Sequence, residues 1–136
     1  MCDVSENFIQ AATDYLGTEK SKRIGKFHCC GLQNFYPEEN KYDCVWIQWV
    51  LGYLTDEDLV AFFKRCKKSL KSNGIIVLKE NVCPGEAELD EVDSSYTRSK
   101  KAYVDLIHKA GLHVVKDEKQ RKFPAEIYEV RMLAFK

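Results

Sequence analysis

The stretch Tyr42-Asp43-Cys44-Val45-Trp46-Ile47-Gln48-Trp49-Val50 decides how the rest of the chain reads. It is β-branched and aromatic with few alternating polar residues, the pattern of a strand covered on both faces in a parallel sheet. Trp46 is expected in the core. Side chains alternate along a strand, so one of Gln48 and Trp49 can face a ligand crevice while the other faces a helix or a substrate. In an open α/β sheet that crevice lies beyond the carboxyl ends of the strands, which makes the residues after each strand the candidate contacts. Trp49, close to Gly52, is a candidate pocket residue.

Working outward, Thr55 followed by Asp56, Glu57 and Asp58 marks a helix start, because a hydroxyl cap and early carboxylates satisfy free N–H groups and the macrodipole. Its apolar face is Leu59, Phe62, Phe63, Cys66 and Leu70, and Asn73-Gly74 is expected to stop it. Ile75-Ile76-Val77-Leu78-Lys79 reads as a second buried strand, and residues 80–95 as a long polar loop. A further helix places Tyr103, Leu106, Ile107 and Ala110 inward, with Gly111 as its cap. Residues 112–115 and 127–135 read as the last strands. Upstream, Ser5 caps a helix with Phe8, Ile9, Ala12, Tyr15 and Leu16 on one face and Gly17 at its end, and residues 26–30 form a short strand. The alternation predicts one α/β domain over residues 1–136, a doubly wound sheet with an antiparallel terminal pair.

Composition narrows the function. With 136 residues, 45% of them hydrophobic, the chain suits a single globular core. Its 21 basic and 21 acidic residues cancel, which argues against nucleic acid as a partner, since that affinity rests on unopposed Lys and Arg. Met1-Cys2-Asp3-Val4-Ser5-Glu6 has no basic and apolar leader, and no apolar run approaches the roughly 20 residues that span a bilayer. A soluble intracellular protein without a membrane partner is expected. Cys2, Cys29, Cys30, Cys44, Cys66 and Cys83 form no C-x-x-C pair, and His28, His108 and His113 are scattered, so no metal site is expected. Cys29, Cys30, Cys44 and Cys66 lie among apolar residues and read as buried free thiols of a reducing compartment.

Two features stay open on the residues alone. Asp3, between a strand stub and a helix, is either a ligand for ribose hydroxyls or a plain turn residue. The stretch 80–95 carries Glu80, Glu86, Glu88, Asp90, Glu91 and Asp93 and no Lys or Arg. It is either an acidic mouth for a cationic substrate or a solubilising loop.

Together, Cys29-Cys30-Gly31-Leu32-Gln33-Asn34-Phe35, Trp46-Ile47-Gln48-Trp49-Val50, Leu54-Thr55-Asp56, Asn73-Gly74-Ile75-Ile76-Val77, Leu89-Asp90-Glu91-Val92-Asp93-Ser94-Ser95 and Glu126-Ile127-Tyr128 resemble the protein α-N-terminal methyltransferases. Those enzymes use S-adenosyl-L-methionine to methylate the N-terminal amine of proteins beginning X-Pro-Lys or X-Pro-Arg. The resemblance implies a Rossmann-like class I methyltransferase sheet and activity in cytoplasm and nucleus. It places Asp3, Val4 and Ser5 at the adenosine, with Asp3 at the ribose, Leu32 and Gln33 at the adenine, and Gln48 near the methionine end. Trp49 would pack on the substrate proline; Asn81 and Asp93 would hold the α-amine, with Asp93 as general base; Asp90, Asp93, Ser95 and Tyr128 would receive the basic third residue.

This sequence departs from the family at two points. Tyr53 stands where the family usually has a His that helps handle the amine proton, and with a pKa near ~10 it is a poor acceptor at neutral pH. Proton acceptance then rests more heavily on Asp93. The chain also contains no Gly-x-Gly loop and has only two residues before Asp3. By the class I strand order three-two-one-four-five-seven-six, it is expected to represent the C-terminal portion of the fold, without the first strand, the glycine-rich loop and the N-terminal helices. A non-catalytic protein that binds basic N-termini or a full-length homologue is the alternative, and methylation of small amines a third reading.

Overall fold

A computed structural model describes residues 1–124 and 126–136. They divide into two compact units, Met1–Tyr36 and Pro37–Lys136. In the first, β1 (Cys2–Asp3) and β2 (His28–Cys29) pair in parallel with Asp3 opposite Cys29. Between them runs α1 (Glu6–Ser21), capped by the Ser5 hydroxyl, which accepts the Phe8 N–H at 3.4 Å. Gly17 interrupts it at φ 74°, ψ 163°, and a last turn follows. A side chain would resist that conformation. A short 3₁₀ turn, Leu32–Asn34, follows β2.

The apolar face expected of α1 is not covered. Phe8 is 69% and Tyr15 91% exposed, and no residue of the helix is buried. Within their unit, the strands beside α1 are two residues long, too short to shield a helical face. Periodicity reports which residues share a face, not what stands opposite it.

The second unit holds a four-stranded sheet in the order β3 (Tyr42–Gln48), β4 (Leu70–Val82), β8 (Glu129–Phe135), β7 (Val114–Lys119). β3 and β4 are parallel; β8 is antiparallel to both of its neighbours. That order and those directions are the four-five-seven-six pattern that the resemblance leads one to expect. α2 (Asp56–Ser69) is capped by Thr55 Oγ1, which accepts the Asp58 N–H at 3.1 Å. In α3 (Lys100–Lys109), Ser99 Oγ accepts the Ala102 N–H at 3.2 Å. Leu59, Phe62, Phe63 and Cys66 from α2 and Tyr103, Leu106 and Ile107 from α3 are buried, as their spacing predicts. On β4, Ile76, Leu78, Glu80 and Val82 are buried while Ile75, Val77, Lys79 and Asn81 on the other face are half-exposed. The core includes an edge-to-face contact of Phe63 on Phe135 at 5.1 Å. Each fully buried large apolar side chain contributes about 1.5–3 kcal/mol.

Five sequence expectations are corrected. Residues 42–50 were expected to be buried on both faces, yet among the described residues β3 pairs only with β4. Ile47 is buried, while Cys44 is exposed and Trp46 is 55% exposed. An apolar run is buried twice over only where a second layer covers it. The second helix ends at Ser69, not at Asn73-Gly74, and β4 runs on through Gly74. There the register jumps from Tyr42↔Leu70 to Cys44↔Ile75. A Cβ on Gly74 would come within 2.9 Å of both the Tyr42 carbonyl and Leu70 Cβ, so glycine serves close approach here rather than helix termination.

The stretch 80–95 is not one loop: β4 extends to Val82, and β5 (Glu88–Asp90) pairs antiparallel with β6 (Ser95–Thr97), Asp90 opposite Ser95. β7 begins at Val114 and is an edge strand whose Lys116, Asp117 and Lys119 are ion-paired with Glu118, Arg131 and Glu129. Of the thiols, Cys66 and Cys83 are buried, Cys2 and Cys30 half-buried, and Cys29 and Cys44 exposed; all six are free. No helix among the described residues is long and apolar enough to cross a membrane.

Candidate active site

The site is built on the turn that leaves β3. Trp49 adopts φ 52°, a left-handed conformation that is strained for a bulky side chain and persists where surrounding contacts over-determine it. Those contacts are present. The Trp49 N–H donates to the Lys79 carbonyl at 3.2 Å, and Lys79 Nζ stands 5.0 Å from the centre of the indole. The next two N–H groups, of Val50 and Leu51, both donate to Glu80 Oε1, at 3.0 and 3.1 Å. The 3₁₀ turn Leu51–Tyr53 is then held from its carbonyl side by Arg98. Its Nη1 donates to Leu51 O at 3.2 Å and its Nη2 to Leu54 O at 2.6 Å, and its Nε to Asp56 Oδ1 at 2.9 Å.

Glu80 and Arg98 are 5% and 4% exposed, so charge is spent on fixing one turn. Burial pushes the Glu80 carboxyl up to about 7, against the pull of three backbone N–H groups and Arg98. Burial likewise raises the Tyr103 hydroxyl, with the Glu80 charge adding to it.

A cavity of about 310 Å³ opens in front of this turn, lined by Trp49, Gly52, Tyr53, Glu80, Asn81 and Ser95 with aromatic and apolar neighbours. The Tyr53 hydroxyl donates to Asp93 Oδ2 at 2.9 Å, and Asp93 Oδ1 accepts the Ser95 N–H at 2.9 Å. Bonds from Ser95, then from Tyr53, hold the Asp93 carboxyl below the usual carboxylate range. The bond to Asp93 raises the Tyr53 hydroxyl. Ser94 at φ 60° closes the hairpin turn that presents Asp93.

The structure therefore brings together Trp49, Tyr53, Asn81, Asp93 and Ser95. Asp90 stands on the same hairpin, its Oδ1 accepting the Val92 N–H at 2.8 Å. Tyr128 donates its hydroxyl to Glu88 Oε2 at the hairpin's other end. Gln48 belongs to the second unit, its Oε1 accepting from Trp46 Nε1 at 3.1 Å. Asp3, Val4, Ser5, Leu32 and Gln33 belong to the first. There Asp3 closes β1, with Oδ1 accepting the Ser5 N–H at 2.8 Å. The turn bearing Leu32 and Gln33 follows the adjacent parallel strand.

Sequence reasoning did not place Arg98, Tyr103, Phe123 or Ile127 at the site, and counted Glu80 only as a loop acid. One signal was available for Glu80: it keeps the two-residue phase of Ile76 and Leu78, which puts a carboxylate on the buried face. Nothing local marks Arg98, whose partners lie 42 to 47 residues away.

The strand order and the cavity at the strand ends are those of part of a class I methyltransferase fold. A SAM-dependent methyltransferase from Leishmania major superposes with a TM-score of 0.92 at 34% identity, over 99% of this chain and 53% of that one. A glycopeptide N-methyltransferase complexed with S-adenosyl-L-methionine shares the fold, with a TM-score of 0.81 at 10% identity over 99% of this chain and 70% of its own. The chain belongs to the AdoMet dependent proline di-methyltransferase family, whose sequence model matches residues 1–136. It is 49% identical to N-terminal Xaa-Pro-Lys N-methyltransferase 1-B of Xenopus laevis and 50% identical to N-terminal Xaa-Pro-Lys N-methyltransferase 1 of Xenopus tropicalis. In both cases all of this chain is matched, and it spans 60% of the relative's length.

Proposed function

We propose that this chain carries the peptide channel and the adenosine contacts of an enzyme that methylates the α-amine of protein N-termini beginning X-Pro-Lys or X-Pro-Arg. The observation that carries the reading is one cavity lined by Trp49, Asn81 and Tyr53, whose hydroxyl donates to Asp93. An indole face suits a proline ring, which offers apolar surface and no N–H. Asn81 and Asp93 offer the polar partners an amine needs. An α-amine gives up its proton near pH ~7.7–8, so a mild base is sufficient and positioning does most of the work. Asp93, kept ionised by its bonds, accepts that proton. Tyr53, a donor in its bond to Asp93, orients the carboxylate. Asp90, Ser95 and Tyr128, on and beside the hairpin, receive the basic third residue, which explains why a chain of zero net charge concentrates carboxylates there.

The residues of the first unit fit the adenosine end of the cofactor. A carboxylate held at the end of one parallel strand, with a 3₁₀ turn following the next, is a suitable acceptor for ribose hydroxyls beside a seat for adenine. Asp3 with Val4 and Ser5 would hold the ribose, Leu32 and Gln33 the adenine, and Gln48 the methionine end. S-adenosyl-L-methionine, when bound, supplies the methyl group.

The test presents an X-Pro-Lys peptide with S-adenosyl-L-methionine to the chain and follows products by mass spectrometry. Methylation of the free-amine peptide once the chain is extended to the length of its relatives, and none of its N-acetylated form or of one with Gly in place of Pro, is the expected result. Binding of the free-amine peptide without transfer would instead favour a non-catalytic protein that captures basic N-termini. Equal binding of all three peptides would refute both.

A further inference from the structure

Glu80 is the one carboxylate lining the cavity among the described residues, and the proposed reaction leaves it without a role. It lines the cavity beside Asn81, yet its Oε1 is turned to the backbone, where it takes the N–H groups of Val50 and Leu51 at 3.0 and 3.1 Å. Those residues directly follow Trp49, whose left-handed backbone is costly and must be held. With this carboxylate removed, two N–H groups at the end of β3 lose their acceptor, and an unpaired buried donor is expensive.

We propose that Glu80 is the positioning residue of the peptide cavity: its carboxylate fixes the turn 49–53, and so the Trp49 indole and the Tyr53 hydroxyl, and gaining a proton loosens that hold. This rests on the X-Pro-Lys reading for what the cavity receives, but not for the hold itself. Charged acceptors bind N–H groups more strongly than neutral ones, so protonation weakens both bonds at once. The groups facing Glu80 are Arg98, which precedes α3 and favours the ionised form; Tyr103 from α3; and Tyr53 from the turn. Both tyrosines stay neutral around neutral pH; Arg98 is the fixed charge favouring ionisation, while Arg131, opposite Glu80 on β8, is paired with Asp117 and Glu129. Burial outweighs Arg98, which brings the carboxyl's titration to about 7, where it would tune the cavity.

Two measurements test this without any assay of methylation. In the unaltered chain, the amide resonances of Val50 and Leu51 are followed by NMR from about pH 5.5 to 8.5, and both should move with a midpoint near 7. In a Trp46→Phe background, where Trp49 is the only tryptophan, indole emission should titrate with the same midpoint. It should be flat in Glu80→Gln and titrate again in Glu80→Asp. Amides and indole that do not respond to pH, or an indole that titrates unchanged in Glu80→Gln, would overturn the proposal. Affinity for an X-Pro-Lys peptide should fall several-fold more below pH 7 in the Glu80 chain than in Glu80→Gln. If the amides titrate but no such peptide binds, the positioning role stands and the methylation reading fails. If the peptide binds while amides and indole stay unmoved, the reverse holds.

Discussion

The Tyr53 hydroxyl donates to Asp93 Oδ2 at 2.9 Å, tying the turn after β3 to a hairpin 40 residues further along the chain. Where the family usually has a His, this pair divides the work in one direction: the phenol gives a hydrogen bond and the carboxylate keeps its charge. Asp93→Asn should lower methyl transfer to an X-Pro-Lys peptide by about 10²–10⁴-fold, the usual contribution of a positioned base, and Tyr53→Phe by much less. The Asp93 pKa is lowered from 3.8, so its effect on stability is present above that value and lost only as pH falls through the lower, folded one. A rate profile near neutrality should therefore report the peptide amine and not Asp93. A step in kcat that follows a group titrating near 4 to 5 would contradict this.

Trp49 sits at φ 52°, so Trp49→Gly relieves backbone strain while removing the indole. Stability in urea should change by no more than about 1 kcal/mol, while binding of a proline-containing N-terminus is lost. Equal loss of stability and binding would mean that the ring is structural.

Arg98 has a buried guanidinium whose acceptors include the Leu51 and Leu54 carbonyls. Arg98→Met leaves both unpaired, and at about 1–3 kcal/mol for each buried group the expected destabilisation is about 2–6 kcal/mol. Asp56, the third partner, is 58% exposed, so water screens the ion pair and Asp56→Asn should change stability by less than about 1 kcal/mol. Chemical denaturation of both variants separates the carbonyl bonds from the ion pair.

Glu80 also makes stability depend on pH. Its carboxyl is raised from 4.5 to about 7, so the folded chain binds a proton that the unfolded chain has already released. Stability should therefore fall as pH rises from 4.5 towards 7 and level off above, by about 3 kcal/mol over the window. Global stability and local hold run in opposite directions here: the ionised carboxylate is poorly solvated but grips the turn. Denaturation of Glu80→Gln across the same range should show a flatter profile.

The two units should answer truncation differently. Phe63, fully buried against Phe135, should lose about 3–5 kcal/mol on Phe63→Ala. Phe8→Ala and Tyr15→Ala, on the uncovered face of α1, should stay within about 0.5 kcal/mol. Melting curves of the three variants provide the comparison.

Local chemistry was legible from the residues. Ser5 and Thr55 cap the helices that follow them because a hydroxyl and its N–H partner are three residues apart. The inward faces of α2 and α3 follow from a period shorter than four residues, and the family likeness from short motifs such as Trp-Ile-Gln-Trp. Trp49 could be nominated because strand ends are where an α/β sheet meets its ligand, and Asn81 through the family likeness alone. Burial and charge state could not be read this way. Trp46 and Trp49 differ by three positions and similar chemistry suggested a core and a pocket, but Trp46 is exposed because no second layer covers it. Glu80 resembled five other acids, and became a buried group titrating near 7 only because Val50, Leu51, Arg98 and Tyr103 converge on it from elsewhere in the chain. Caps, periods and motifs depend on neighbours a few residues away; desolvation and unpaired donors depend on what stands opposite in space, and that is decided when the chain folds.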